Sequence, residues 1–407
     1  MHGDQESPFV NHARGRANGG MTSGSFDVAV IGGGVMGCAA ARALAARRER
    51  VVLFERARIG HAQGSSHGRS RMIRLAYGHA AYIPLCRAAY AAWRQLEEES
   101  GDTLLTITGG LDLAFGEVPS WRATQAAMVQ ARVPHEMLDR DEIKRQFPQF
   151  SLPDGAQGLL QSEGGVLHAD RGLAALASSA RRHGAVLREG EDVLALTPSA
   201  QGIELQTLQG TYNVGRLVIA AGAATAAMLR RLGLDLPLTV SKEQVAFFRP
   251  EDPALHGPDR LPIFILHLGG VILSSGFPLL REEGLKLMIE NKRPARDGDD
   301  GPDPELVTRL EAQVGRILPG LEPRALRVQT CRYTLTPDED FIIDRHPEHE
   351  HIAIVSACSG HGFKFGALFG EAVADLAMHQ KPAIDLHPFR IDRPSLSRSH
   401  NNRRRTS

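Results

Sequence analysis

The chain has 407 residues, of which 42% are hydrophobic and 23% charged, and its 47 basic residues balance its 47 acidic residues. A chain of this length buries a sizeable core and is long enough for two or three domains. Zero net charge argues against a nucleic acid partner, and no run approaches the ~18 to 20 apolar residues of a membrane-spanning helix.

The cysteines and histidines predict neither disulfides nor a metal site. The four cysteines are widely spaced and form no C-x-x-C pair, which favours a reducing, cytoplasmic setting. His346 and His349 are three residues apart but belong to a proline-containing stretch, for which we expect a loop and no metal.

Both ends of the chain are predicted to be disordered. Residues 1–24 are polar and glycine-rich and lack the apolar segment of a signal peptide, and either Met1 or Met21 is the true start. Residues 395–407 end in the solvated sequence NNRRRTS, for which we expect a disordered tail.

Three segments have the pattern of a buried strand, a glycine turn and a helix. They begin at Phe26, Arg216 and His351, and the first leads into a second buried strand that ends at Glu55. Such units predict an α/β fold with one doubly wound, Rossmann-type sheet. Segments 104–165 and 236–325 are rich in turns and short strands, and we expect them to form a discontinuous second α+β domain on a mostly antiparallel sheet.

The first glycine turn has the spacing of a dinucleotide-binding motif. Gly32, Gly34 and Gly37 form G-x-G-x-x-G between a strand and a helix, which allows a tight turn, close approach of a pyrophosphate and close helix packing. The pyrophosphate would lie at the helix N-terminus. Glu55 ends the next strand, where it is placed to accept hydrogen bonds from ribose hydroxyls.

A basic cluster follows in the sequence GSSHGRSRMIRLAYG, residues 64–78. Arg71 and Arg74 are three residues apart, so on a helix they would share a face. Guanidinium groups bind carboxylates and phosphates, and a solvated basic face is the alternative interpretation.

From Phe26 to about Pro394, the chain resembles the monomeric sarcosine oxidase and N-methyltryptophan oxidase family of D-amino-acid-oxidase-like flavoproteins. The resemblance rests on blocks in the expected order: VIGGGVMG, the basic cluster, GFP with GLKL, CRYTLTPDEDFIIDRHPEH and SGHGFKF. It implies an FAD-binding domain formed by residues 25–103, 166–235 and 326–394, and a substrate domain formed by residues 104–165 and 236–325.

The resemblance also implies how FAD is held. Cys331 matches the cysteine that the family joins to the flavin 8α-methyl group, and a thiolate is a nucleophile suited to that bond. The positions expected to contact the cofactor are Gly32, Gly34, Gly37, Glu55, Val193, Cys331, Gly360 and Gly362.

Four residues match catalytic positions of the family. Lys286 matches the lysine that activates oxygen in the family. A fixed cation suits this role because it stabilises the superoxide that forms first. His67 and Arg71 match residues that lie against the flavin ring, and Tyr333 matches an active-site tyrosine.

The implied substrate site combines two retained residues with two departures. Arg74 and Lys364 match the pair that holds the substrate carboxylate. Ser275 replaces a tyrosine of the sarcosine oxidases and Glu290 replaces a histidine, so we expect a larger pocket and an added negative charge beside the substrate amine.

These matches predict an FAD-dependent oxidase of a secondary-amine amino acid. Hydride passes from substrate to flavin, O₂ becomes H₂O₂, and the imine product is hydrolysed. The alternatives are an oxidase of a cyclic imino acid such as proline or pipecolate, and a flavin amine dehydrogenase with another electron acceptor. We expect a monomer whose partners are the amino acid and O₂.

Overall fold

The computed structural model describes residues 26–268, 271–281, 284–296 and 301–397. The predicted lead (1–24) and the tail from residue 398 lie outside these ranges. Within them, the helices are α1 (Val35–Ala46), α2 (Tyr82–Ser100), α3 (Pro119–Gln130), α4 (Arg140–Gln146), α5 (Ala169–Arg182), α6 (Thr225–Arg231), α7 (Pro304–Ile317), α8 (Gly366–Ala377) and α9 (Pro394–Ser397).

The strands of the described residues form three sheets. In chain order they are β1 (Phe26–Ile31), β2 (Val51–Glu55), β3 (Ser70–Ile73), β4 (Leu105–Ile107), β5 (Gly110–Phe115), β6 (Glu136–Asp139), β7 (Gln157–Gln161), β8 (Gly165–His168), β9 (Val186–Glu189), β10 (Val193–Ser199), β11 (Gly202–Thr207), β12 (Thr211–Ile219), β13 (Thr239–Pro250), β14 (Ile263–Leu268), β15 (Val271–Gly276), β16 (Leu285–Ile289), β17 (Leu321–Leu335), β18 (Ile342–Arg345) and β19 (Ile352–Ser356).

The first sheet joins the three predicted strand–glycine–helix units. Its order is β10-β11-β12-β1-β2-β9, and β19 also pairs with β12. The pairs of β1 with β2 and β12, and of β12 with β19, are parallel, as predicted for units of this kind. The α/β fold class is therefore confirmed, and the glycine turns gather where these strands end.

The second sheet collects strands from both interrupting segments. Its order is β17-β13-β16-β15-β14-β5-β7-β6, and every pair except β14 with β5 is antiparallel. The expected boundary between residues 325 and 326 falls within β17, which pairs along its length with β13. Cys331 therefore lies within the second sheet, where it pairs in register with Glu243 of β13.

Two local predictions are wrong. Arg71 lies in strand β3, which pairs with β8, and Arg74 follows that strand, so the two do not share a helical face. Residues 395–397 belong to α9 rather than to a disordered tail. Leu396 packs into an apolar core, and the side chain of Ser395 donates a hydrogen bond to Asp338, which holds this segment.

Apolar packing holds the helices against both sheets. A bare glycine lets α8 approach α1 closely, because a Cβ on Gly370 would lie 2.6 Å from the backbone carbon of Ala39. Helix α7 buries Leu306, Leu310 and Val314, which recur every four residues, against the second sheet. No helix of the described residues is both long and apolar enough to span a bilayer.

Candidate active site

A cavity of about 670 Å³ is lined by both large sheets. Its walls include the glycine turn after β1, the basic cluster, the ends of β10 and β12, the middle of the second sheet and the loop before α8. The cavity thus joins segments that are more than 300 residues apart in the chain.

Nearly all of the predicted site residues line this one cavity. They are Gly32, Gly34, Glu55, His67, Arg71, Arg74, Val193, Ser275, Lys286, Glu290, Cys331, Tyr333, Gly360, Gly362 and Lys364. Gly37 is the exception. It faces the turn itself, where a Cβ would lie 1.8 Å from the carbonyl oxygen of Gly32. Its place therefore matches the helix-packing part of the motif.

The glycine turn presents a bare helix N-terminus to the cavity. Gly32 has φ +107°, and a Cβ there would lie 2.4 Å from the carbonyl oxygen of Ala220. Gly34 directly precedes α1 and has no side chain to cap it, and the first helical N–H, of Val35, donates to the Ser66 hydroxyl. The N–H groups and the helix dipole favour a negatively charged ligand at this end.

Glu55 braces the glycine turn. Its carboxylate accepts a 2.7 Å hydrogen bond from the N–H of Gly33 and a 2.9 Å hydrogen bond from that of Ala57. Glu55 is only 6% exposed, yet it lines the cavity. The side chain therefore fixes the turn, and its contact with a ribose stays a prediction.

Arg71 and His67 are held by backbone carbonyls. Arg71 donates to the carbonyl oxygens of Ser65, His67 and Ser70 at 2.7–2.8 Å. The ring nitrogens of His67 lie 2.8 Å from Gly64 O and 3.1 Å from Thr330 O. Burial is the main cause that lowers the pKa of His67, and the nearby Arg71 cation lowers it further. These contacts join the basic cluster to β17 next to Cys331.

Cys331 and Lys286 lie on neighbouring parts of the second sheet. Burial raises the pKa of the Cys331 thiol to about 11, and the nearby cations Arg71 and Lys286 oppose this rise. The Lys286 ammonium group donates to the backbone oxygen of Ser70 at 3.0 Å and lies 4.6 Å from the centre of the Phe277 ring. Lys286 is 8% exposed and lines the cavity, so these contacts hold its nitrogen at the cavity wall.

The glycines before α8 let neighbouring side chains and backbone pack closely against this turn. Gly360 has φ +79°, and a Cβ there would lie 3.0 Å from the ring of Tyr333. The N–H of Gly362 donates to the carbonyl oxygen of Cys358 at 2.8 Å, so this N–H is already engaged within the turn. A Cβ on Gly362 would lie 1.8 Å from the carbonyl oxygen of Ala357. Tight packing of the turn therefore requires glycine at position 362.

The fold brings Arg74 and Lys364 to the same tyrosine. The guanidinium carbon of Arg74 lies 5.3 Å from the centre of the Tyr77 ring, and Lys364 Nζ lies 5.4 Å from it. The Lys364 ammonium group also donates to the Tyr77 hydroxyl at 2.9 Å. The guanidinium of Arg74 and the amine of Lys364, from distant segments, thus face one end of the cavity.

The two departures lie on adjacent strands. Ser275 of β15 pairs in register with Met288 of β16, and Glu290 directly follows β16. Glu290 is not an isolated charge, because Lys292 lies 3.1 Å from it and also 2.7 Å from Glu339. Burial would lower the pKa of Lys292, but these two carboxylates raise it. The negative charge expected at Glu290 is therefore partly offset by Lys292, which Glu339 shares.

Several neighbours of the site were not predicted. Tyr77 and His361 lie inside the motifs quoted above, and Lys292 follows Glu290 closely, so proximity to those positions was the available signal. Asp112 offered another signal, a lone charge in the apolar strand GLDLAF, because a buried carboxylate needs a partner.

Comparison with known proteins assigns the family. The pattern of the FAD dependent oxidoreductase (DAO) family matches residues 27–376. The chain belongs to this family. Peroxisomal sarcosine oxidase of Homo sapiens is 37% identical over 383 residues, covering 92% of this chain and 98% of that protein. Monomeric sarcosine oxidase of Bacillus sp. (strain B-0618) is 32% identical over 381 residues, covering 92% and 97%. The resemblance recognised in the sequence is confirmed.

A solved structure shares the fold of this family member. The open form of NikD, an unusual amino acid oxidase essential for nikkomycin biosynthesis, superposes with a TM-score of 0.82 at 28% identity. The match covers 91% of this chain and 98% of that one. The combination of the parallel sheet and the second, mostly antiparallel sheet is therefore shared with this protein.

The residues of the cavity fit the FAD that this family uses. One end offers a glycine cradle and an uncapped helix N-terminus for a pyrophosphate, with Glu55 at the end of β2. The other end offers fixed cations, Arg71 and Lys286, beside Cys331. Cations at that end stabilise an electron-rich flavin ring.

Proposed function

We propose that the protein is an FAD-dependent oxidase of N-methyl amino acids of the sarcosine type. The observation that carries this proposal is one cavity that joins the dinucleotide-binding turn to Lys286, Arg74 and Lys364. Bound FAD supplies the redox chemistry, accepting a hydride from the substrate and passing the electrons to O₂ to give H₂O₂.

We propose that Cys331 attaches the cofactor through a thioether to the flavin 8α-methyl group. The reactive form of a cysteine is the thiolate. The pKa of about 11 places Cys331 mainly in the thiol form, and Arg71 and Lys286 are the cations that favour its ionisation. Attachment therefore depends on those cations as well as on the sulfur.

Arg74 and Lys364 hold the substrate carboxylate in this proposal. Both face the Tyr77 ring, and a planar guanidinium binds a carboxylate through two hydrogen bonds. The amine is bonded to the carbon next to that carboxylate, so in this proposal it lies between Lys364 on one side and Ser275 and Glu290 on the other. The small Ser275 side chain leaves room for a substituent on the substrate.

Lys286 serves as the oxygen-activating residue. Its ammonium group donates hydrogen bonds to Ser70 and faces the Phe277 ring, so contacts within the protein fix its position. A fixed cation in the cavity wall stabilises the negative charge that develops on O₂.

We further propose that the protein acts as a monomer in a reducing compartment such as the cytoplasm. None of its four cysteines forms a disulfide, which agrees with such a compartment. Its partners in this proposal are a small amino acid and O₂.

A substrate screen by peroxide release tests the function. Purified protein is mixed in air with N-methyl amino acids, and with L-proline and L-pipecolate as cyclic alternatives. We expect H₂O₂ with N-methyl amino acids at higher kcat/KM than with the cyclic ones. Peroxide from the cyclic amino acids alone would favour the imino acid alternative, and none from any amine would contradict the oxidase proposal.

A further inference from the structure

Lys364 has an unusual set of hydrogen bonds for a buried lysine. It is 6% exposed and lines the cavity. Its Nζ donates to the hydroxyl oxygen of Tyr77 at 2.9 Å and to the carbonyl oxygen of His361 at 2.7 Å. No carboxylate of the described residues forms an ion pair with it.

The protons of this network can be assigned from its acceptors. His361 Nε2 lies 3.1 Å from the carbonyl oxygen of Glu339, which can only accept, so Nε2 carries a proton. Burial lowers the pKa of His361 to about 3, so the ring is neutral and its Nδ1 is an acceptor. Tyr77, 3.2 Å away, therefore donates its hydroxyl proton to Nδ1.

This direction of the Tyr77 hydrogen bond leaves the nitrogen lone pair of a neutral Lys364 outside the network. The Tyr77 oxygen accepts from Nζ because its own proton goes to His361. A neutral lysine amine has two N–H groups, and Tyr77 and the backbone oxygen of His361 accept both. The remaining lone pair of a neutral Lys364 is thus available to the cavity that the side chain lines.

The surrounding charges favour the neutral form. The groups that face Lys364 are Arg74, the Tyr77 hydroxyl, neutral His361 and the buried thiol of Cys86 on α2. Burial, aided by the Arg74 cation and opposed by Cys86, lowers the pKa of Lys364 to about 7. Around neutral pH, Lys364 is therefore able both to accept and to hold a proton.

We propose that Lys364 is the base that accepts the proton of the substrate ammonium group. This inference rests on the proposed function. The N–H bond of the ammonium breaks, its electron pair stays on the substrate nitrogen, and the proton forms a third N–H bond on Lys364 Nζ. Nothing is oxidised or reduced in this step.

One proton transfer then has two effects. It frees the nitrogen lone pair that expels the hydride, and it makes Lys364 a cation beside the substrate carboxylate. An alkylammonium such as that of free lysine titrates near ~10.4, so at pH 7 only about 1 molecule in 2,500 is neutral in solution. The negative substrate carboxylate beside Lys364 favours the charged form of the lysine and so favours this transfer.

Binding of butyrate tests the inference without catalysis. Butyrate replaces the amine of sarcosine with a methylene group, so it brings no proton to Lys364. Calorimetry of the holoprotein in two buffers of different ionisation enthalpy measures proton uptake. We expect uptake of about one proton near pH 8, falling towards zero near pH 6, and none with Lys364→Arg, whose guanidinium stays charged.

The pH profile of flavin reduction by an N-methyl amino acid, measured anaerobically, is the second test. The wild-type rate should be half-maximal near pH 7, whereas that of Lys364→Arg should keep rising towards the pKa of the free amine. Lys364→Met removes both the base and the cation, so its KM for the N-methyl amino acid should be higher than that of Lys364→Arg. Identical profiles for wild type and Lys364→Arg, or no proton uptake with butyrate, would overturn the inference. Failure of every amine to reduce the wild type would instead refute the proposed function.

Discussion

The guanidinium of Arg74 lies 3.2 Å from the carboxylate of Asp112. Asp112 is 2% exposed and is also 3.6 Å from Nε2 of His267, another buried side chain. The arginine that we propose for the substrate carboxylate therefore already has a counterion behind it. Substrate binding competes with, or shares, this internal pair.

Asp112→Asn should strengthen carboxylate binding and weaken the fold. The variant removes a negative charge beside Arg74, so butyrate should bind several-fold more tightly. Breaking a buried pair by removing one partner typically costs about 3–5 kcal/mol, so thermal unfolding should occur at a lower temperature. The surface pair of Asp102 with Arg171 provides the control, since Asp102→Asn should change neither property appreciably. Weaker butyrate binding by Asp112→Asn would show that Asp112 chiefly orients Arg74.

Lys292→Met should shift specificity towards cationic substrates. Lys292 bridges Glu290 and Glu339, and all three line the cavity. Its loss leaves two carboxylates unbalanced, which should raise kcat/KM for N-methyl-lysine relative to N-methyl-norleucine about 5-fold, as expected for a charge pair worth about 1 kcal/mol. Lys144→Met, on the exposed face of α4, is the control. An unchanged ratio would place Glu290 away from the substrate side chain.

Two glycines of the same motif should respond differently to alanine. Gly37→Ala forces a Cβ to 1.8 Å from the carbonyl oxygen of Gly32, so thermal stability and flavin content should both fall. Gly34 has φ −75°, and its Cβ would meet only Ser66 Oγ at 3.1 Å. Gly34→Ala should therefore keep the fold and lose flavin. Equal thermal unfolding and equal flavin content in the two variants would contradict this division of roles.

Lys286→Met should separate the two halves of the reaction. Without the cation, reoxidation of the reduced protein by O₂ should slow by a factor on the order of 100, while reduction by substrate changes far less. Stopped-flow absorbance measures each step separately. If reoxidation kept its rate, the dehydrogenase alternative would gain support.

Asp338 should make stability depend on pH at the C-terminal segment. Burial would raise its pKa, but hydrogen bonds from Arg393 and Ser395 hold it below the usual value of 3.8. The charged form therefore stabilises the fold fully above about pH 3.8, and this contribution disappears as pH falls towards the lower, folded pKa. Urea unfolding should show a stability gap between wild type and Asp338→Asn that closes in this range. Asp392→Asn, at an exposed pair, should show no such gap.

Local pattern was enough to predict the first β-α-β unit and to name residues that line one cavity. Strand hydrophobicity, the glycine spacing and the family blocks all act over short stretches. The strand at Arg71 could not be foreseen, because its partner β8 lies almost 100 residues later. The pairs of Asp112 with Arg74 and of Lys292 with Glu339 likewise depend on tertiary packing, as does the burial that lowers the pKa of Lys364.

Anaerobic mixing of the purified holoprotein with an N-methyl amino acid tests the central claim most directly. The account predicts that the flavin absorbance is bleached, and that admitting air restores it with release of one equivalent of H₂O₂. A flavin that stays oxidised with every N-methyl amino acid, or a protein purified without flavin, would contradict the account.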